Sequence, residues 1–454
     1  MRHQPHKHSQ KPDSSPPPSE GKPSWLGSFL RKFLTVFRKS RRLPHATNSG
    51  ERHLTDSGSG QRSHRQPHPT LGSPHAGSRR PASPASRAAS RPHSHSHSDP
   101  DFPVITTTED LGQAVSAFAG LDRIALDTEA DSLHCYFDKL CLIQISIPGQ
   151  NLLVDPLAEG VKLEPLFCAL ERKTVVIHSA DYDLRLLRRC GYSGPTILFD
   201  TMIAARLLGA KEFGLAALLH QHFGVTLAKA SQKANWAIRP LPREMLEYAV
   251  NDTVNLLALA EIQEVRLREL GRWSWFEQMC ERQIRASSLT KEKDPDTLWR
   301  ISGYTDLPPR GAALLRALWN WRDAEAQAAD RPAFHILNND LLLEFAARFE
   351  RGESVDPKHL RGNRRTRFFQ AADQALALSE EFWPRIVRKP RLRSTPEHER
   401  RFRELKKHRD EVAEGLGIDP TLIAPKATLE QLARQEIQAM ESLLPWQRDC
   451  LPPL

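Results

Sequence analysis

From about residue 101 the chain reads as a regular exchange of apolar runs and amphipathic stretches. Thr106 to Phe118 reads as a strand end followed by a helix. Short apolar runs at 123–128, 140–147, 151–154, 174–177 and 196–199 predict strands, because they are four to eight residues long and bounded by polar or turn-forming residues. Apolar positions spaced three and four apart predict helices over 162–171, 180–190, 201–208, 214–223 and 242–270. Three strands so close in sequence imply an antiparallel meander, and the strands that alternate with helices extend it into a mixed sheet. The pattern predicts an α/β domain over 101–290, a mixed sheet with flanking helices. Helical spacing without strands returns over 296–388. A weaker helical region at 397–454 opens on a charged helix and carries Leu416, Ile418, Leu422, Ile423, Leu429, Leu432 and Leu443.

Residues 1–100 have no such pattern. They are rich in Ser, Pro, His and Arg and poor in aliphatics, so they cannot bury enough surface to offset their ordering entropy, and a disordered basic tail is expected. One exception lies inside it. Residues 25–39 place apolar side chains at 26, 29, 30, 33, 34 and 37, and a basic run continues to 42. That predicts an amphipathic helix suited to a membrane surface or a partner. It stands too far from Met1 for an ordinary secretory signal. The His-Ser repeat at 93–98 reads as a solvated linker. The next methionine after Met1 is Met202, so a later start would need a non-Met codon. No apolar run approaches the ~18 residues of a membrane span.

Charge divides the chain. Residues 1–100 hold 17 Lys and Arg against 5 Asp and Glu, and residues 351–454 hold 20 against 16, so the overall +9 belongs to the two ends and the middle is acidic. An acidic centre between basic flanks suits a metal-dependent enzyme with an anionic substrate, nucleic acid first. The six cysteines form neither a C-x-x-C nor a disulfide framework, which places the chain in a reducing compartment and predicts a cytoplasmic protein.

The candidate chemistry starts at Asp127-Thr128-Glu129, where the run Ile124-Ala125-Leu126 ends. Residues i and i+2 of a strand share a face, so the two carboxylates aim at one point. Like charges held that close repel unless a cation lies between them, and hard divalent ions prefer carboxylate oxygen. A bare Asp-x-Glu is most often a solvated strand end, so further acids are required. Asp181 and Asp183 follow the strand at 174–177 and open a helix. Two apart on a helix, they do not face one point, and one of them suits a helix cap. Tyr248 and Asp252 lie at i and i+4 of the next strongly helical segment, on one face.

Asp127-x-Glu129, Asp183 and Tyr248-x-x-x-Asp252 resemble the three exonuclease motifs of the DEDD superfamily, tyrosine subtype. Leu140-Cys141-Leu142-Ile143-Gln144-Ile145-Ser146, Phe199-Asp200-Thr201 and Asn235-Trp236-x-x-Arg239-Pro240-Leu241 are similar to ribonuclease D. Asp131-Ser132-Leu133-His134 departs from the common bacterial version toward the eukaryotic nuclear exosome relative. The resemblance covers about 101–290 and implies a ribonuclease H-like fold. It implies a 3′→5′ exoribonuclease in which Asp127, Glu129, Asp183 and Asp252 hold two divalent cations, Mg2+ or Mn2+, about 3.5–4 Å apart. It assigns Asp183 to the site and leaves Asp181 to cap the helix. Tyr248 would orient the attacking water, since a phenol of pKa about 10 is a poor base at neutral pH. The product would be a nucleoside 5′-monophosphate. His178 and Asp200 read as structural, a strand-end hydrogen bond and a helix cap. Arg239 suits a phosphate contact or helix packing.

Leu298-Trp299-Arg300, Pro308-Pro309, Leu318-Trp319-Asn320-Trp321-Arg322-Asp323, Ala326, Pro332 and Ile336-Leu337 are similar to the helicase-and-RNase-D C-terminal (HRDC) module, a helical bundle that implies nucleic-acid binding. Residues 397–454 resemble a second, degenerate copy. Lys358, Arg361, Arg364, Arg365 and Arg367, then Arg385, Arg388, Lys389, Arg391 and Arg393, form basic clusters suited to phosphate. The expected partner is RNA with a single-stranded 3′ end, in this family tRNA precursors. A DNA-directed 3′→5′ exonuclease of repair stays open, because no residue reads the 2′-OH. Against a catalytically silent RNA-binding scaffold stand the mutually repelling acids that it would not need. No motif falls in residues 1–100, so catalysis is expected without them.

Overall fold

The structure is a computed structural model that describes residues 103–228, 231–289, 294–387 and 394–453. The tail, with its amphipathic segment at 25–42 and the His-Ser repeat, lies outside them, as do Arg388, Lys389, Arg391 and Arg393.

A six-stranded mixed sheet organises the first domain, in the order β1-β4-β3-β2-β5-β6. β2 (Arg123–Ala130), β3 (Leu140–Ile147) and β4 (Gln150–Val154) form the expected antiparallel meander. β5 (Thr174–Ile177) runs parallel to β2, and β6 (Ile197–Asp200) parallel to β5. β1 (Val104–Ile105) extends the other edge, parallel to β4. Every residue of β3 is buried, the mark of a strand covered on both faces. One cover includes α1 (Thr108–Ser116), α2 (Glu164–Leu170), α3 (Asp181–Arg189) and α4 (Thr201–Leu207); α5 (Leu215–Phe223) packs beyond α4.

The helix expected over 242–270 is two. α6 (Arg243–Thr253) and α7 (Leu256–Glu269) are separated by Val254 and Asn255, with Asn255 at φ −103°, ψ −1°. Thr, Val and Asn are all poor helix formers, and the break falls where Thr253 bonds the sheet instead of continuing the helix face. α6 lies across β3 and β4, burying Met245, Ala249 and Val250 against Leu142, Leu153 and Trp236. α8 (Trp273–Ser288) follows.

The next unit has its own core. α9 (Pro309–Ala328), α10 (Ala333–Ile336), α11 (Asn339–Glu350) and α12 (Gly362–Leu376) surround Trp299, Leu318, Trp321, Phe345 and Phe368. The last unit does not. The long α13 (Pro396–Leu416) and the short helices after it bury Leu405, Ile418, Leu429 and Trp446 in the same cluster as the sheet of the first domain. Trp446 stacks on Trp275 of α8, centroids 4.8 Å apart and rings 13° from parallel. Among the described residues no helix is long and apolar enough to cross a membrane.

Candidate active site

β2 delivers Asp127 and Glu129 to the C-terminal end of the sheet, both half-buried, and a bulge follows Glu129 where the register shifts. α6 crosses above and brings Asp252 to them. Carboxylate oxygens of Asp127, Glu129 and Asp252 all lie within 4.8 Å of one another. Tyr248, one turn earlier on α6, rests on Trp236 with centroids 6.0 Å apart, and its hydroxyl donates toward Asp252. Asp183 stands beside this trio in the first turn of α3. It is buried, and the hydroxyl of Thr128 donates to its Oδ1 at 2.6 Å. Thr128 is the residue between the two acids of β2, so one three-residue segment touches every other element of the site.

Electrostatics mark the cluster. Burial, then the charges of Asp183, Asp252 and Glu129, push the Asp127 carboxyl well above its usual range. Burial, then Asp252 and Asp183, push Glu129 up to about 9. Burial pushes Asp252 up to about 7 against the Tyr248 hydrogen bond, and Asp183 up to about 6 against the Thr128 hydrogen bond. Burial, then the charge of Asp252, pushes the Tyr248 phenol upward, away from a role as base. Four acids that lose charge when alone but offer only hard oxygen fit divalent magnesium or manganese, whose charge reverses each of these shifts.

The supporting residues are sorted differently from the expectation. Asp181 does not cap α3: its carboxylate pairs with Arg185 one turn on. The amides entering that helix go instead to Asp200, which accepts from Ser179 N at 3.1 Å and Ala180 N at 2.8 Å. Asp200 also caps its own α4 through Met202 N and Ile203 N. The αL backbone of Ser179 (φ 65°) makes the turn that aims both amides at one carboxylate. His178 directly follows β5 and meets Thr201 Oγ1 at 2.8 Å, while burial lowers its pKa to about 4.

Arg239 is corrected as a phosphate ligand. All five donors of its guanidinium are spent inside the fold, on both oxygens of Asp155 and on the carbonyls of Trp236, Ile238 and Cys141. It clamps the 236–240 segment to β3 and β4. The basic cluster of the middle unit is partly neutralised. Arg364 and Arg367 share Glu325, and Arg365 pairs with Asp356 at 2.9 Å. Arg361 bonds backbone carbonyls, and Lys358 is exposed. Arg385 is also exposed.

Two features escaped the sequence reading. Thr128 is one; its signal was a hydroxyl between two acids in an otherwise apolar strand. The other is the loop between β2 and β3. Asp131 accepts from Lys139 N at 2.8 Å and pairs with its ammonium at 3.0 Å, while Tyr136 N donates 3.0 Å to Asp330 at the end of α9. Nothing local in the sequence signals a partner so far along the chain.

The 3′–5′ exonuclease family matches residues 102–267, and the HRDC domain family matches 311–354 and 398–445. Ribonuclease D of Zymomonas mobilis is 34% identical over 260 residues, covering 56% of this chain and 65% of that protein. Ribonuclease D of Gluconacetobacter diazotrophicus is 32% identical over 251 residues, covering 55% of this chain and 63% of that protein. The chain thus spans less than two thirds of the length of these relatives. Ribonuclease D of Desulfotalea psychrophila is matched over 96% of its length, and 77% of this chain, at 27% identity. Among solved structures, Escherichia coli RNase D, described as an exoribonuclease involved in structured RNA processing, superposes with a TM-score of 0.58 at 25% identity. It covers 75% of this chain and 92% of that one. The catalytic core of RRP6 from Trypanosoma brucei gives a TM-score of 0.50 at 26% identity over 61% of this chain and 80% of that one. An exonuclease-family match over the sheet domain, HRDC matches over the helical units and ribonuclease D relatives along its length make this chain similar to ribonuclease D.

Proposed function

We propose that the chain is a 3′→5′ exoribonuclease that shortens RNA from a single-stranded 3′ end and releases nucleoside 5′-monophosphates. The observation that carries this reading is the meeting of Asp127, Glu129 and Asp252 within 4.8 Å, with Asp183 alongside. Asp127, Glu129, Asp183 and Asp252 would hold two divalent cations, Mg2+ or Mn2+, which when bound acidify a water and stabilise the charge on the leaving 3′ oxygen. The protein's own groups position the reaction. Thr128 fixes Asp183, and α6 fixes Asp252 against the β2 pair. Tyr248, its phenol held protonated and its O–H directed at Asp252, accepts a hydrogen bond from the attacking water and orients it in line with the terminal phosphodiester.

The substrate class follows from the relatives, which are ribonucleases; precursor tRNAs with a 3′ trailer are the proposed natural substrates. Residues 1–100 are proposed as a tail outside the catalytic domain of 101–290, with HRDC units at 296–388 and 397–454. Exposed Lys358, Arg361 and Arg385, with the partly paired Arg364, Arg365 and Arg367, are the proposed RNA-binding surface. The six cysteines, all free, suit the reducing cytoplasm.

The test is digestion of matched 3′-tailed RNA and DNA oligonucleotides in Mg2+ or Mn2+, comparing the wild type with Asp252→Asn. Metal-dependent release of 5′-mononucleotides from RNA, lost in the variant, supports the reading. Preference for DNA would move the activity to repair, and RNA bound without shortening would make the chain a scaffold.

A further inference from the structure

Gln144 is a buried polar residue that the catalytic reading leaves unused. It lies in the middle of β3, 0% exposed, and neither its Oε1 nor its Nε2 has a hydrogen-bond partner among the described residues. The strand register sets it directly opposite Asp127. Cross-strand partners in an antiparallel pair project from the same face, with Cβ atoms about 4.5–5.5 Å apart. That face is the one beneath α6. Leu142, opposite Glu129, packs on α6, and Ser146 on the other side of Gln144 meets Thr253 of α6 at 2.7 Å. The amide therefore lies in a covered strip between the Asp127 carboxylate and the Ser146–Thr253 hydroxyl pair. A buried amide without a partner is costly, because it has left water and gained nothing in exchange. Leucine or methionine would avoid that cost in a strand otherwise built of Leu, Cys, Ile and a single Ser.

We infer that Gln144 is a positioning residue whose amide holds the Asp127 carboxylate, through a buried water, in the orientation that ligates a divalent cation. The inference rests on the reading of these carboxylates as a cation site. A water there has the Gln144 amide and the Asp127 carboxylate as polar neighbours, with the Ser146 hydroxyl two residues along the strand, and buried waters need two to four such partners. Groups that orient a ligand from behind commonly change metal affinity by about 10–100-fold when removed.

The test uses the full chain and Mn2+ alone, titrated by calorimetry, for the wild type, Gln144→Met, Gln144→Asn and Asp127→Asn, with melting temperatures taken in chelator. Gln144→Met is expected to melt at or above the wild-type temperature without metal, yet to bind Mn2+ at least about tenfold more weakly. Gln144→Asn, which keeps a shorter amide, recovers part of that loss. Wild-type Mn2+ affinity in Gln144→Met overturns the inference and leaves the cation site standing. A fall of several degrees in the metal-free melting temperature of Gln144→Met also overturns it, by showing that the amide is bonded within the fold. A wild type that binds Mn2+ no better than Asp127→Asn overturns the cation site, and this inference with it.

Discussion

The hydroxyl of Thr128 donates to Asp183 Oδ1 at 2.6 Å, tying the segment that carries two of the site's acids to the helix that carries a third. Both partners are buried, Thr128 at 8% and Asp183 at 7% exposure, so the bond is shielded from competing water. Thr128→Val keeps the shape and removes the donor. The loss of a buried hydrogen bond to a charged group costs about 1–3 kcal/mol. The expected result is a kcat lowered about tenfold or more on tailed RNA with little change in KM, read by steady-state kinetics. An unchanged kcat would make the bond a packing feature only.

Removing one of four crowded acids relieves repulsion. Asp252→Asn is expected to abolish nucleotide release while raising the metal-free melting temperature, because burial already disfavours its charge, and that charge in turn pushes Glu129 up. Calorimetry in chelator checks the second half. A lower melting temperature would mean that Asp252 is held by bonds stronger than the repulsion.

The same shifts set the pH dependence of the metal-free protein. Glu129, Asp252 and Asp183 are raised to about 9, about 7 and about 6, so between about pH 4 and those values the folded chain holds protons that the unfolded chain has released. Their stabilising contribution is full below about pH 4 and is lost as pH rises through the folded values. In chelator the melting temperature should fall from pH 5 to pH 9. Millimolar Mg2+ or Mn2+ should reverse most of that fall, since a cation that binds only the folded state stabilises it. A curve indifferent to metal would argue against the cation site.

Arg239 and Asp155 form an ion pair inside the fold, with Asp155 5% exposed. Arg239→Ala strands that carboxylate and opens the carbonyls of Trp236, Ile238 and Cys141. The expected cost is about 3 kcal/mol, the lower end for a buried pair because Arg239 is partly exposed. Urea denaturation measures it. RNA affinity of the folded fraction should stay at the wild-type value; a selective loss of RNA binding would restore the phosphate role.

Asp330 joins the middle helical unit to the loop that leaves β2, through Tyr136 N and the Lys139 ammonium. Asp330→Ala loosens that loop, whose Leu133 and Phe137 are exposed, at a cost of about 1 kcal/mol. The expected outcome is a KM for tailed RNA raised about fivefold with kcat within about twofold. A fall in kcat instead would show that the loop orders the carboxylates themselves.

Much of the site was legible because its signals are local. The Asp127-x-Glu129 pair needs only the two-residue period of a strand, and Tyr248 with Asp252 needs only one helical turn. The meander followed from short apolar runs broken by turns, although its first strand runs on to Ala130, past the expected end at 128. Local rules failed where the deciding partner came from elsewhere. Asp181 looked like a cap from its place at the start of α3, but Asp200, nineteen residues on, reaches those amides first. Arg239 was left between a phosphate contact and helix packing, while its true partner Asp155 lies across the sheet. The helix at 242–270 breaks because Thr253 finds Ser146 on β3, a contact no helical periodicity contains.

By itself, then, the sequence determined most of the elements, which acids share a face and which family the motifs resemble, since each depends on residues within a few positions of one another. Only the tertiary structure decided that Asp252 closes on Asp127 and Glu129, that Thr128 holds Asp183, that Gln144 is buried beside Asp127 with no partner among the described residues, and that the last helical unit shares the core of the sheet. Those relations join residues far apart in the chain. They exist only once the packed helices exclude water and leave each buried charge or amide with the partners that the fold supplies.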